Sequence, residues 1–466
     1  MHAAERYRRP VAPTAVPALF DPSAYTTFRF DGWHFDEASA TVTLRYGLDD
    51  ALRFEETIVL PGGAPPLDAS RRAALDATLE LLHQVAGVSY WKAAAPPAIA
   101  IGPLSERRAR FLTDVYVHGL GEYGYRNRID VASLIRFDGD ATVTPPAVAL
   151  EPTGRSLVLI GGGKDSVVAL ELMRAAGADV TLFSVGDPSA IAATAAVSGL
   201  ERLIARRTIS PALLEANAAG ARNGHVPVTA VVSLIALATA VLHGYDEVVL
   251  ANERSASQGN VTLGDGTEVN HQWSKGLGFE RALRDLLAHE VTPTIAYFSL
   301  LRGASELGIA RAFARLDAYH HAFTSCNAAF RLDERRRAAT WCGDCPKCRF
   351  VFLALAPWSD PEHLRSVFGA DLLERAEQTA DFLALAGFED HKPFECVGEL
   401  EESVAAFRLL AADPRWADHA VVRAARERLL PAVPDGFGDP AAVLALSDDH
   451  EIPPRLLATV HAHLRA

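Results

Sequence analysis

The sequence predicts an α/β chain: a parallel sheet with helices on both faces, preceded by a β-rich N-terminal domain with a helix or two and followed by a helical C-terminal region. Three observations predict it. From residue 156 onward, strand-sized apolar runs at 157–160, 180–184, 202–205 and 247–251 alternate with helix-sized segments, the pattern of strands and helices that build a parallel sheet. Before that point, the runs at 28–30, 41–46 and 56–60 are short and alternating or β-branched, as antiparallel strands are. After Cys348 the chain is rich in Ala, Leu, Glu and Arg, punctuated by Pro357 and Pro361, which is helical composition.

Taken in chain order, the three N-terminal strand runs are followed by a Pro/Gly turn region over 60–74 and by apolar residues at helical spacing over 74–85. Pro and Gly punctuate 144–154 as they do a linker. Domains are therefore expected over 1–150, 151–350 and 351–466. The longest apolar run, 226–242, contains Pro, Ser and Thr and is shorter than the ~20 residues a bilayer-spanning helix needs, so it is expected to be a buried helix. The sequence has no internal repeat and no low-complexity tract.

Composition narrows the function classes. A chain of 466 residues that is 49% hydrophobic and 22% charged is neither disordered nor collagen-like. The 45 Lys and Arg against 58 Asp and Glu leave a net charge of −13 with no basic tail, which argues against a general nucleic-acid coat protein. The charged first ten residues lead into a Pro-broken stretch without an apolar core. No secretory signal and no membrane partner are expected, and the expected location is the cytoplasm. Oligomeric state is not encoded in any feature of the sequence.

The richest segment is the apolar run 157–160 followed by Gly161, Gly162, Gly163, Lys164, Asp165 and Ser166, then apolar residues at helical spacing over 167–176. Glycines there permit positive φ and leave no Cβ in the way, so successive N–H groups can converge on phosphate oxygens beside a helix N-terminus. Lys164 adds a full charge, and Asp165 or Ser166 can cap the helix or help hold Mg²⁺. The spacing fits neither GxGxxG nor GxxxxGK[ST]. A plain strand-to-helix turn needs only one or two glycines.

Beyond the strand run ending near Leu250 lies a polar stretch with Asn252, Glu253, Arg254 and Ser255, and then His271, Gln272, Ser274 and Lys275. Loops beyond the carboxyl ends of parallel strands bind ligands, so these residues are candidates for a second substrate, the alternative being a solvated loop. The basic cluster Arg331, Arg335, Arg336 and Arg337 can meet a diphosphate or face water. Cys342, Cys345 and Cys348 form a CxxCxxC knuckle, with Cys326 sixteen residues earlier. Four thiolates at these spacings suit a structural tetrahedral Zn²⁺, and an iron–sulfur cluster stays open as the rival. Cys396 stands alone and reads as a core residue.

The Gly161–Ser166 segment resembles the SGGxDS loop of the N-type ATP pyrophosphatases, the PP-loop superfamily, with Gly161 where Ser is usual. That resemblance implies a PP-loop fold that splits ATP into AMP and pyrophosphate. It also implies an adenosine beside the end of the second strand, where Phe183, Ser184 and Val185 fall, so Ser184 joins Gly161, Gly162, Gly163, Lys164, Asp165 and Ser166 as an expected ATP contact. The upstream Cys plus CxxCxxC is similar to the arrangement in 7-cyano-7-deazaguanine synthases. Together with AsnGluArgSerAla at 252–256 and TrpCysGlyAspCysProLysCysArgPhe at 341–350, the chain as a whole resembles the MurL family of UDP-N-acetylmuramoyl-L-alanyl-L-glutamate epimerases. The likeness begins near PheAspGlyTrpHisPheAsp at 30–36 and runs to the C-terminal helices.

Membership would imply ATP-dependent inversion of the terminal L-glutamate of a UDP-sugar peptide to D-glutamate, through an acyl-adenylate, in peptidoglycan biosynthesis. Adenylation removes the carboxylate charge that otherwise opposes a carbanion at the adjoining carbon. In that chemistry Lys164 and Mg²⁺ would neutralise the leaving pyrophosphate, and Asp165 would position the metal. His271 and Lys275 are the expected proton-transfer groups, because imidazole titrates near neutral pH and a desolvated amine can. Alternatively, His271 packs against Trp273 and Lys275 binds phosphate. Two rival functions stay open: a PP-loop ligase or thiolase acting on a nucleobase or tRNA, and a non-catalytic adenine-nucleotide sensor.

Overall fold

Eleven strands and a larger set of helices make the described chain a mixed α/β protein. The computed structural model describes residues 16–259, 261–262, 268–330, 338, 340–388, 395 and 397–465. The strands are β1 (Thr27–Asp36), β2 (Thr41–Leu48), β3 (Leu52–Val59), β4 (Ala98–Ala100), β5 (Arg155–Leu159), β6 (Asp179–Val185), β7 (Arg202–Thr208), β8 (Glu247–Leu250), β9 (Val261–Thr262), β10 (Glu268–Val269) and β11 (Ala296–Ser299). The helices used below are α1 (Ala69–Ala86), α2 (Lys164–Ala175), α3 (Val228–His243), α4 (Leu277–Glu290), α5 (Glu306–Phe313), α6 (Pro346–Leu355), α7 (Leu400–Ala412) and α8 (Pro454–Arg465). The chain divides into two units. The first takes the chain up to Thr153 together with Leu203–Asp246 and Arg281–Ala296, and the second takes Gly154–Arg202, Glu247–Glu280 and Tyr297–Ala466.

In the first unit the alternation seen in the sequence becomes a pleated ladder in the order β7-β3-β2-β1-β4. β1 with β2, β2 with β3, and β3 with β7 pair antiparallel, and β4 joins β1 parallel. Val42, Leu44, Tyr46 and Leu48 of β2 and Leu52, Phe54 and Ile58 of β3 bury one face, as a period of two requires. Glu56 occupies a buried position on that face and is held by Arg207 Nε at 2.7 Å, Arg207 Nη2 at 3.1 Å and the Tyr90 hydroxyl at 2.7 Å. This bidentate pair ties β7 to β3. The apolar run at 226–242 is α3, buried along most of its length and packed on α1.

The second unit centres on β5. Its strands run β11-β8-β5-β6, with β5 parallel to both β6 and β8. Helix α2 carries the chain from β5 to β6 and receives α5 and α8, while α6 packs on α5 and α7. The segment after Cys348 is helical, and its helices lie in the same unit as β5. Among the described residues no helix is long and apolar enough to cross a membrane.

Candidate active site

β6 follows β5 and lies on one side of it, whereas β8 comes later in the chain and lies on the other. Strand order therefore reverses at β5, and the crevice beyond the carboxyl end of such a strand is where open α/β sheets bind ligands. The glycine turn sits at that point. Ile160 N–H donates to the Phe183 carbonyl at 2.9 Å, and Gly162 then takes φ +81°. A Cβ on Gly162 would lie 3.0 Å from the backbone of Ala190 and Ile191, so both conformation and space require glycine there. Gly161 faces open space on its Cβ side. Gly163 is the N-cap of α2 and offers no side chain to the first-turn amides, which leaves a helix N-terminus ready for an anion.

Ser166 does not cap the helix. Its hydroxyl donates to the Gly163 carbonyl at 3.0 Å. Ser184, near the carboxyl end of β6, is buried and donates to the Gly186 carbonyl at 3.0 Å. Both residues thus brace the two strand-end turns. Lys164 is placed differently from a freely extended phosphate ligand: it is 3% exposed, and its Nζ is bound by Asp165 Oδ1 at 2.5 Å and by Glu306 Oε2. Burial alone lowers a lysine pKa, but the two carboxylates outweigh it and hold the ammonium above its ordinary value.

Glu306 opens α5, and its backbone N–H donates to Glu402 Oε1 at 3.1 Å. Burial, followed by the nearby Asp165, raises the Glu306 carboxyl well above its usual range. Glu402 is pushed up to about 8, by burial first and Glu399 second. With carboxylates in excess of cations, this cluster retains a proton near neutral pH.

The loops beyond β8 and β11 are fastened by a buried arginine that the sequence did not single out. Arg302, 1% exposed, donates to Glu280 Oε2 from Nη2 at 2.9 Å, to the Glu253 carbonyl from Nη1 at 2.7 Å and to the Lys275 carbonyl from Nη2 at 2.5 Å. One guanidinium thereby joins the 252–258 and 272–276 segments to the end of β11. Asn252 Nδ2 donates to Ser299 Oγ at 3.1 Å. Arg254 directs its guanidinium to the carbonyls of Ala445 and Val443 at 3.2 and 3.3 Å, which fastens its segment to residues 443–445. The Glu253 side chain is buried and adds to the field that raises Glu306. Ser255 Oγ is buried and has no hydrogen-bond partner among the described residues, an open valence of the kind that a ligand satisfies. Lys275 Nζ donates to Gln272 Oε1 at 3.3 Å, and His271 is half-buried in the turn just before it.

The four knuckle cysteines do converge: Cys326, Cys342, Cys345 and Cys348 bring their sulfurs within 4.8 Å of one another. Arg331, Arg335, Arg336, Arg337 and Cys396 lie outside the described residues. Glu280, Arg302, Glu306 and Glu402 are the site residues that sequence reasoning missed. Locally Glu280, Glu306 and Glu402 carry only helix-start signals, with Ser305-Glu306 as a capped helix and Glu399-x-x-Glu402 as a capping box, and Arg302 carries none. Their association with Lys164 and with the loops beyond β8 and β11 is long-range.

The family described as MurL N-terminal domain matches residues 19–300, and that described as MurL C-terminal domain matches residues 322–435. A UDP-N-acetyl-alpha-D-muramoyl-L-alanyl-L-glutamate epimerase of a Micromonospora species is 48% identical over 435 residues, 92% of this chain and 96% of its own. Proteins of the same name from Xanthomonas oryzae pv. oryzae and Salinispora tropica are 44% and 47% identical, covering 96% and 90% of this chain and 99% and 91% of theirs. No solved structure matches the chain.

Proposed function

The chain belongs to the MurL family, and on that premise we propose that it is an ATP-dependent epimerase of peptidoglycan synthesis. It inverts the terminal L-glutamate of UDP-MurNAc-L-Ala-L-Glu to D-glutamate through an acyl-adenylate. The observation that carries this reading is identity of 44–48% to three relatives of that name over at least 90% of this chain. ATP use is supported by the uncapped glycine turn at the strand-order reversal.

The reaction begins with attack of the glutamate carboxylate on the α-phosphorus of ATP, which forms the acyl-adenylate and expels pyrophosphate. The amides of the 161–163 turn and of the first turn of α2 hold the phosphates. Lys164, locked between Asp165 and Glu306, keeps that helix start rigid and offsets part of the carboxylate charge beside it. Asp165, with its side chain 31% exposed, offers an oxygen ligand to Mg²⁺, which when bound with ATP spreads the charge of the departing pyrophosphate. Once the carboxylate is adenylated, its carbonyl delocalises the electron pair left when a base removes the α-proton. An acid returns a proton to the opposite face, and water then cleaves the adenylate to D-glutamyl product and AMP.

His271 and Lys275 serve as the proton-transfer pair on the loop that Arg302 fastens, and Asn252 and Ser255 contact the peptide end of the substrate. Both reactants are soluble nucleotides, and the cytoplasm is where the enzyme meets them. The test is the nucleotide product: AMP and pyrophosphate form only when UDP-MurNAc-L-Ala-L-Glu is added with ATP. Formation of ADP and phosphate contradicts the reading.

A further inference from the structure

The four-cysteine cluster is built for one ion and stands against the glycine turn. Two of its sulfur separations are 3.7 Å (Cys342 to Cys348) and 3.5 Å (Cys345 to Cys348), and all four sulfurs fit within 4.8 Å. A tetrahedral site with Zn–S bonds of ~2.3 Å has edges of about 3.8 Å. A cluster that interposes sulfide-bridged irons spreads its most distant thiolates to roughly 6 Å. These spacings fit a single tetrahedral ion better than an iron–sulfur cluster.

A helix start and a glycine turn hold the sulfurs in place. Cys345 is the N-cap of α6 and Cys348 lies in its first turn, so the positive end of that helix faces both sulfurs. The Cys342 N–H donates to Cys326 Sγ at 3.4 Å. Gly343 takes φ +70° to turn the knuckle, and its carbonyl is held by Gln378 Nε2 at 2.9 Å. Arg349, one helical turn past Cys345 and 7% exposed, ties the helix start to Asp344 at 2.9 Å and Asp381 at 2.8 Å.

Two residues separate Cys326 from the glycine turn. Thr324 N–H donates to the Gly162 carbonyl at 3.0 Å, and Ser325 Cβ lies 3.6 Å from where a Gly163 Cβ would stand. The Thr324 hydroxyl accepts the Cys326 N–H at 3.1 Å and donates to the Thr340 carbonyl at 3.0 Å, two residues before Cys342. Residues 324–326 are thus pinned at one end to the knuckle and at the other to the turn.

We propose that Cys326, Cys342, Cys345 and Cys348 hold one Zn²⁺, and that this ion fixes the 324–326 strut that shapes the Gly161–Gly163 turn for phosphate. The proposal is independent of the epimerase reading, since it predicts metal content and backbone protection rather than a reaction. Elemental analysis of the freshly purified full chain finds about one zinc per chain and no stoichiometric iron; absence of zinc overturns the site. A mercurial reagent, which reaches the exposed Cys342, releases that zinc into a colorimetric indicator. Hydrogen exchange of peptides spanning 157–170 and 322–330 then quickens roughly tenfold, while peptides from β1 to β3 are unchanged. Thiol regeneration followed by Zn²⁺, but not Mg²⁺, restores protection. Zinc released with no change in exchange at 157–170 overturns the strut. Cys345→Ser, should it fold, gives the same exchange signature without any reagent, and unaltered protection there counts against the strut equally.

Discussion

Lys164→Met is the most informative single change, because it separates an ammonium that organises the site from one that merely waits for phosphate. The wild-type Nζ is 3% exposed and is shared by Asp165 and Glu306, whose own side chain is 7% exposed. Removing the cation strands Glu306 in the interior, and uncompensated buried charges of this kind cost about 3–5 kcal/mol. The cost depends on pH in a definite direction. Burial and Asp165 already raise the Glu306 carboxyl well above its usual range, and loss of Lys164 raises it further, so the folded variant keeps a proton there that the unfolded chain has released. Wild type keeps the same proton below its own raised value, so stability of the variant relative to wild type falls only as pH rises above that value, where wild type ionises Glu306 beside Lys164 and the variant does not. Urea denaturation at pH 5.5 and pH 8.5, without nucleotide, reads this directly: the loss is the larger at the higher pH. Lys164→Met combined with Glu306→Leu recovers most of it, because both partners are then apolar. A variant as stable as wild type at both pH values, impaired only in ATP binding, refutes the reasoning.

Two further outcomes follow from the geometry. Gly162→Ala forces a left-handed alanine, which costs about 1–2 kcal/mol, and presses Cβ against the Ala190 and Ile191 backbone at 3.0 Å. Calorimetric ATP affinity falls at least tenfold, whereas Gly161→Ala, which meets nothing within 4 Å, leaves thermal stability unchanged; equal stability of the two variants contradicts this account of the turn. Arg302→Met leaves Glu280 buried without its cation and frees the Glu253 and Lys275 carbonyls. In steady-state kinetics it raises KM for the UDP-peptide more than KM for ATP, and Arg302→Lys does not rescue it because an ammonium lacks the planar fork; an unchanged peptide KM refutes the role.

The elements that declared themselves in the sequence are those whose information is local. Alternation at 41–59 fixes which face of β2 and β3 is buried, and three glycines after an apolar run mark the β5 turn before any coordinate is known. The knuckle cysteines, whose sulfurs converge, fall in the same class, since their spacing is itself a local signal. Other features were invisible for the opposite reason. The run at 202–205 reads as one more sheet strand, but its antiparallel partner β3 lies some 150 positions earlier and is chosen by the Glu56–Arg207 pair. Lys164 reads as a phosphate ligand from its neighbours, and only the fold brings Glu306 to it across 142 positions. Arg302 sits in an apolar and turn-rich stretch with no motif, and its five-donor side chain becomes meaningful only when Glu280 and two loop carbonyls surround it. Charge networks assembled from distant helix starts leave no periodic trace, which is why the scaffold of this site was legible and its buried electrostatics were not.

The central claim is inversion at one carbon, and it is tested most directly by the handedness of that carbon. The full chain is incubated with ATP and UDP-MurNAc-L-Ala-L-Glu, the product is hydrolysed to free amino acids, and glutamate is resolved on a chiral phase. The account predicts D-glutamate that accumulates with time and only when ATP is present. Exclusively L-glutamate, with ATP present and the substrate bound, contradicts it.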